Sequence, residues 1–178
     1  MGAEESVVVG TGAVAAEEVI RVARLGAPVR ISRDAMSAMA ETRKRIEALA
    51  EDPKPVYGIS TGFGALATRH IPSALRTQLQ RSLVRSHAAG NGPEVEREVV
   101  RALMLLRLST LATGRTGARP EVAQVYASLL SAGITPVVHE YGSLGCSGDL
   151  APLAHVALAV IGEGTVCLLY TSPSPRDS

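Results

Sequence analysis

Two stretches of this chain, 102–112 and 149–161, read as helices that are apolar nearly all round. A helix of that kind has no face to turn toward water, so it must be enclosed by a larger core or by other subunits. A chain of 178 residues fits a single domain, and two fully enclosed helices are more than such a domain comfortably covers. The sequence therefore predicts part of something larger. Aromatic residues make up only 3% of it, with one Phe and no Trp, so Ala, Leu and Val must build the core, which suits close-packed helices. The balance of 18 Lys and Arg against 17 Asp and Glu argues against nucleic acid or an anionic membrane surface as partner. No apolar run reaches the roughly 20 residues of a membrane span, and the first six residues lack a signal-peptide pattern. With only Cys146 and Cys167 there is no disulfide framework, and a reducing cytoplasm is the expected compartment.

Ser6–Val9 and Pro28–Ile31 are short β-branched runs beside Gly or Ser, the pattern of a small two-stranded element. Between them 17–25 predicts a short helix stopped by Gly26, and 33–51 a longer one with Met36, Met39, Ile46 and Leu49 as its stripe. Asp52-Pro53 ends it, because the residue before a proline avoids helical backbone. After a glycine-broken stretch at 56–69, a third helix carries Leu75, Leu79 and Leu83 and dissolves at Ala88-Ala89-Gly90-Asn91-Gly92-Pro93. Residues 94–113, 122–130 and 149–161 complete a mainly α reading, with Pro152 in the first turn of the last helix, where its missing N–H costs little. Beyond Val166, Cys167 to Asp177 shows neither helical nor strand continuity with what precedes it. This string resembles the in-frame translation of a sequencing-library adapter. The expected division is therefore 1–166 native and 167–178 foreign.

Three constellations carry the chemistry-bearing residues. Gly145-Cys146-Ser147-Gly148-Asp149 leads into the last helix, and on its residues alone Ser147 or Asp149 serves as an N-cap. A nucleophile elbow is excluded, since no strand enters the turn and no G-x-S-x-G is present. Tyr57-Gly58-Ile59-Ser60-Thr61-Gly62-Phe63-Gly64 is by itself a glycine-turned surface loop, and the missing Gly-Lys-Ser/Thr ending excludes a Walker phosphate loop. In Arg85-Ser86-His87-Ala88-Ala89-Gly90 a lone histidine closes a helix, ordinarily as a partner of the C-terminal dipole. His70, His139 and His155 have neither i, i+4 spacing nor a cysteine cluster, so no metal site is expected.

Taken together, the three resemble one family. Gly142-Ser143-Leu144-Gly145-Cys146-Ser147-Gly148-Asp149-Leu150-Ala151-Pro152-Leu153-Ala154-His155 is similar to the prosthetic-group segment of the aromatic amino acid ammonia-lyases, the histidine ammonia-lyases in particular. Tyr57 to Gly64 resembles that family's Tyr-Gly-x-x-Thr-Gly-Phe-Gly loop, and Ser86-His87-Ala88-Ala89-Gly90 the histidine-selective form of its substrate-facing segment. The motifs stand in family order, and the resemblance runs over essentially all of Ser6 to Val166. It implies that Cys146, Ser147 and Gly148 cyclise into a methylidene-imidazolone (MIO). The Gly148 amide nitrogen attacks the Cys146 carbonyl, and loss of two waters turns Ser147 into a dehydroalanine. Gly148 has no Cβ to obstruct the ring. Cys146 stands where Ala is usual, but its side chain ends outside the reacting atoms.

The resemblance further implies that Tyr57 is the catalytic acid–base, a role that requires its pKa to lie below the ordinary value near 10. It makes His87 a substrate-binding residue, and the implied fold is the N-terminal part of the helical, fumarase/aspartase-like ammonia-lyase fold. The implied activity is removal of ammonia from L-histidine to give trans-urocanate, in a cytoplasmic homotetramer when the chain is complete. Family members continue for several hundred residues and add an Asn, a Gln, a Tyr, an Arg and a Glu to the site, so the shorter chain is expected to be inactive alone. The alternatives are a tyrosine ammonia-lyase or aminomutase of the same family and, in a different class, a non-catalytic helical binding module in which Ser147 only caps a helix.

Overall fold

The computed structural model describes residues 5–146 and 148–168. The chain opens on β1 (Val7–Val9), in which Val7 and Val9 are buried and Val8 faces out, the alternation of a half-buried strand. It pairs in parallel with β2 (Val29–Ile31), Val7 opposite Val29 and Val9 opposite Ile31. Parallel strands need a crossover connection. Here it is α1 (Ala16–Ile20), which runs on into a π-wound segment, Arg21–Leu25, and stops at Gly26 with φ 77°. The small β element and the short helix expected from the sequence are both present.

Next comes α2 (Arg33–Glu51), started by Ser32, whose hydroxyl oxygen accepts the Ala35 N–H at 3.1 Å. A glycine-rich loop leads to α3 (Ser73–His87), which packs against α6 (Leu150–Val160). β3 (Asn91–Glu94) follows, then α4 (Arg97–Ala112), α5 (Pro120–Ser131), β4 (Ile134–Pro136) and β5 (His139–Tyr141). After α6 the described chain ends on β6 (Val166–Leu168). β3 pairs antiparallel with β5, and β4 antiparallel with β6.

The core gathers on α4. Val100, Met104, Leu105, Leu108 and Leu111 are buried there against α5, the Arg21–Leu25 turn, α2 and the β1–β2 pair. Each fully buried side chain of this kind contributes about 1.5–3 kcal/mol. Pro120 occupies the first position of α5, where its fixed φ suits a helix start.

Several expectations need correction. α4 begins at Arg97 rather than at 94, because Asn91–Glu94 is drawn into pairing with His139–Tyr141. The incomplete cover of the two all-apolar helices, by contrast, fits the reading of part of something larger: Leu106 of α4 is 51% exposed and Leu150 of α6 57% exposed. The leucine stripe of α3 buries no residue within this chain. Continuity also persists past Val166, since Thr135 lies opposite Cys167 and Ile134 opposite Leu168. Backbone pairing asks nothing of side-chain pattern, and all three β6 residues are exposed, so no periodicity announced this strand. Residues 169–178, the rest of the segment expected to be foreign, lie outside the described residues.

One buried residue carries a charge. Arg101, on the core side of α4, is 0% exposed. Its guanidinium donates from Nε and Nη2 to the Val22 carbonyl at 3.1 and 2.8 Å, and from Nη1 and Nη2 to the Leu130 carbonyl at 3.1 Å each. Leu130 lies in the last turn of α5, where carbonyls lack intrahelical donors. Burial and the neighbouring Arg97 push the Arg101 pKa down to about 10, which leaves it charged at neutral pH. Arg101→Met is expected to destabilise the chain by about 2–3 kcal/mol, because the buried Val22 carbonyl loses its donors and the Leu130 carbonyl keeps only the Gly133 N–H at 3.2 Å. Arg101→Lys should recover little, since an ammonium cannot fork across both oxygens. Urea unfolding followed by circular dichroism measures this, and a Met variant within about 1 kcal/mol of wild type would sink the claim.

Candidate active site

Tyr57 lies in the loop between α2 and α3, 63% exposed. Its ring meets Phe63 edge-on, centroids 5.8 Å apart and planes at 82°. The loop beneath it is tied by its own small side chains. Ser60 Oγ accepts the Val56 N–H at 2.9 Å, and Thr61 Oγ1 accepts the Gly58 N–H at 3.2 Å and donates to the Gly62 carbonyl at 3.0 Å. Ser60 and Thr61 are buried, which fixes the loop from within and leaves the phenol outside. Gly58 has φ +71°, and a Cβ there would sit 3.0 Å from the Phe63 ring. The aromatic pair therefore packs over a glycine.

His87 is the last residue of α3. Its Nδ1 lies 2.8 Å from the Leu83 carbonyl. A carbonyl can only accept, so Nδ1 carries the proton and Nε2 of the neutral ring keeps its lone pair for another donor. The fifteen residues of α3 rise roughly 22 Å at 1.5 Å per residue, which sets the Tyr57 loop and His87 at opposite ends of the helix. Among the described residues no hydrogen bond joins the Tyr57 loop to His87 or to 142–149.

The chain just beyond His87, by contrast, lies against Gly142, the start of the 142–149 segment. The chain leaving His87 enters β3, and β3 pairs with β5, which leads directly into Gly142. A Cβ on Gly142 would stand 3.0 Å from the Gly90 Cα and 3.2 Å from the Ala151 Cβ. Gly90 thus lies against both the start of this segment and the first turn of α6. His139 and His155, dismissed as metal ligands from the sequence, flank the same place: their rings meet at 5.5 Å and 70°. Their role was not legible from spacing, since the strand pairing that unites them spans distant parts of the chain. Among the described residues, no group of three or more His, Cys, Asp or Glu converges to hold a metal ion.

The segment itself is cinched at its ends. The Asp149 carboxylate accepts from Ser143 Oγ and, at 3.0 Å, from the Leu144 N–H. Asp149 occupies the N-cap position of α6, yet its side chain makes no capping bond. The cap reading from sequence is corrected to this extent: the carboxylate closes the preceding turn instead. Bonds from Ser143 and from the Leu144 and Gly145 backbone hold its pKa below the usual value. Gly145 and Gly148 both have positive φ, +65° and +78°, and a Cβ on Gly148 would meet nothing within 4 Å. Cys146 is exposed. Ser147, read as the source of the electrophilic carbon, lies outside the described residues.

Comparison with known proteins shows the family. Residues 14–172 match the family model for aromatic amino acid lyases. The chain belongs to the aromatic amino acid lyase family. It is 67% identical over 159 residues to a histidine ammonia-lyase of Streptomyces coelicolor, covering 89% of this chain and 31% of that one. Against a histidine ammonia-lyase of Gloeobacter violaceus it is 49% identical over 85% of this chain and 29% of that one. Among solved structures it is similar to the tyrosine aminomutase from Streptomyces globisporus, with TM-score 0.85, 39% identity, and coverage of 94% of this chain and 31% of that one. The histidine ammonia-lyase from Trypanosoma cruzi gives TM-score 0.82 at 33% identity over 92% of this chain and 31% of that one. The chain thus spans about a third of the length of these relatives. The mainly α fold of this lyase family, expected from the motifs, holds.

The cinch makes a pH prediction. A carboxylate whose folded pKa is lowered contributes stability above its unfolded value, near 3.9, and loses that contribution as pH falls through the folded one. The Leu144 amide should therefore be protected from hydrogen exchange at neutral pH and lose that protection only in acid, as the pH falls below the unfolded value through the lowered folded one. Asp149→Ala should lose it at every pH. Unchanged exchange in that variant would show that the carboxylate does not hold the turn.

Proposed function

We propose that this chain is the N-terminal part of a histidine ammonia-lyase, which removes ammonia from L-histidine to give trans-urocanate. The observation that carries the reading is His87: its Nδ1 proton is committed to Leu83, so Nε2 stands ready to accept an N–H from an imidazole side chain. The chain that leaves His87 packs against Gly142, four residues before the Cys146-Ser147-Gly148 tripeptide in sequence. In the proposal these three residues hold the MIO group, which supplies an electrophile for the substrate's amine. Tyr57 Oη takes the β-proton, and its exposure leaves it accessible for that transfer. The long identity to histidine ammonia-lyases supports the same substrate. The half-exposed apolar residues Val99, Leu106 and Leu150 support completion by further chain and assembly as a homotetramer. Two free, exposed cysteines fit a reducing cytoplasm.

A second reading, a tyrosine ammonia-lyase or aminomutase, is favoured by the likeness to a tyrosine aminomutase and by the same lone pair on His87, which accepts a phenol O–H as well as an imidazole N–H.

The full-length gene product should convert L-histidine to urocanate, followed by absorbance, and leave L-tyrosine unchanged. Its mass should fall short of the translated sequence by two waters. Ser147→Ala should restore the full mass and lower kcat by a factor of about 10³ or more, while the 178-residue chain alone should turn nothing over. Retained activity in Ser147→Ala, or a wild-type protein at full sequence mass, would overturn the prosthetic-group assignment. Product from tyrosine alone would move the protein to the second reading.

A further inference from the structure

His155 sits one turn into α6 and has no part in the reaction as proposed. Its Nε2 accepts the Gly90 N–H at 3.0 Å. An acceptor at Nε2 requires the neutral ring with its proton on Nδ1. The approach is close enough that a Cβ on Gly90 would lie 2.9 Å from Nε2 and 3.3 Å from the Tyr141 carbonyl. On the other side His139 Nδ1 donates to the Gly92 carbonyl at 3.0 Å, and the two imidazoles meet edge-on. The stretch Gly90–Gly92, which leaves His87, is therefore gripped by two histidines. One is carried on β5, just before 142–149, and the other on α6, just after it.

We propose that neutral His155 is a positioning residue that fixes the segment behind His87 against the Gly142–Asp149 turn, and that protonating His155 releases this segment. The inference rests on reading His87 and the Cys146–Gly148 tripeptide as two parts of one lyase site. Protonation turns the only acceptor of the ring into a donor, so Gly90 N–H and Nε2–H then face each other. Partial burial and the charge of His139 both push the His155 pKa below its ordinary value. On β5 the ionisable groups are His139, Glu140 and Tyr141. On the helices packed against α6 they are Arg76, Arg81, Arg85 and His87 of α3 and Glu121 and Tyr126 of α5. Arg85 is engaged by Glu163 and Arg76 by the Ile71 and Ala50 carbonyls, and of all these groups only His139 acts on the charge of His155. With a lowered folded pKa the grip is complete above about pH 6.5 and is lost as pH falls through the folded value.

Hydrogen exchange at the Gly90 amide, read by mass spectrometry of peptides spanning Ala88–Gly92, tests this without turnover. In the wild-type chain, protection corrected for intrinsic rate should be full at about pH 8 and fall about tenfold or more as the pH is lowered below about 6.5 through the folded value. His155→Gln, whose side-chain oxygen can still accept, should stay protected throughout. His155→Leu should be unprotected throughout, and if circular dichroism finds that variant unfolded, the wild-type and Gln pair decides. Constant protection in wild type, or an unchanged pH response in His155→Gln, would overturn the proposal and assign the response to another group. A positive exchange result with a negative mass result at Ser147 would leave the grip standing and remove the lyase reading.

Discussion

Arg101 reaches from the buried side of α4 to the carbonyls of Val22 and Leu130, and three separate stretches of chain meet at its planar fork. One carbonyl belongs to the π-wound turn that carries the crossover from β1 to β2, the other to the last turn of α5. A buried cation is costly unless its donors are matched, so these two oxygens must stay where they are for α4 to remain in place. The fork also sits at a helix C-terminus, where positive charge meets the negative end of the dipole. Hydrophobic burial along Met104, Leu105 and Leu108 drives the packing of α4 but does not set its register as tightly. Apolar contacts tolerate sliding, whereas a two-carbonyl fork does not.

The site hangs from this frame at a remove. α3 buries nothing within the chain and is held chiefly by packing on α6 and by the bidentate Arg85–Glu163 pair at 2.7–2.8 Å, an exposed contact of modest strength. What brings the chain just beyond His87 against Gly142 is the backbone pairing of β3 with β5, together with the close approach of Gly90 to Gly142. Glycine is needed at both places because any side chain would hold the two backbones apart. Tyr57, at the other end of α3, is placed by a loop that satisfies its polar groups internally. Tyr57 and His87 are thus built into separate parts of the structure, and α4 and α6 expose the apolar side chains of Val99, Leu106 and Leu150.

Much of this was legible in the sequence. The limits of α2 and α5 and the end of α3 came within two residues of those observed, because periodicity, a Pro after a helix and a Gly at its stop act on neighbouring residues and leave local marks. The motifs around Tyr57, His87 and Ser147 named the family for the same reason, since each is a run of adjacent residues that can be read without knowing the fold. Contacts between distant residues leave no such mark. No pattern around Arg101 announced that it would turn inward, and nothing in Asn91–Glu94 or Val166–Leu168 announced strands whose partners lie tens of residues away. The Asp149 carboxylate looked like a helix cap and instead closes the turn before it, a choice between two nearby donor sets that only the folded backbone makes. Which side of an all-apolar helix stays uncovered was decided by the rest of the fold, because the sequence of such a helix records that it must be covered but not by what.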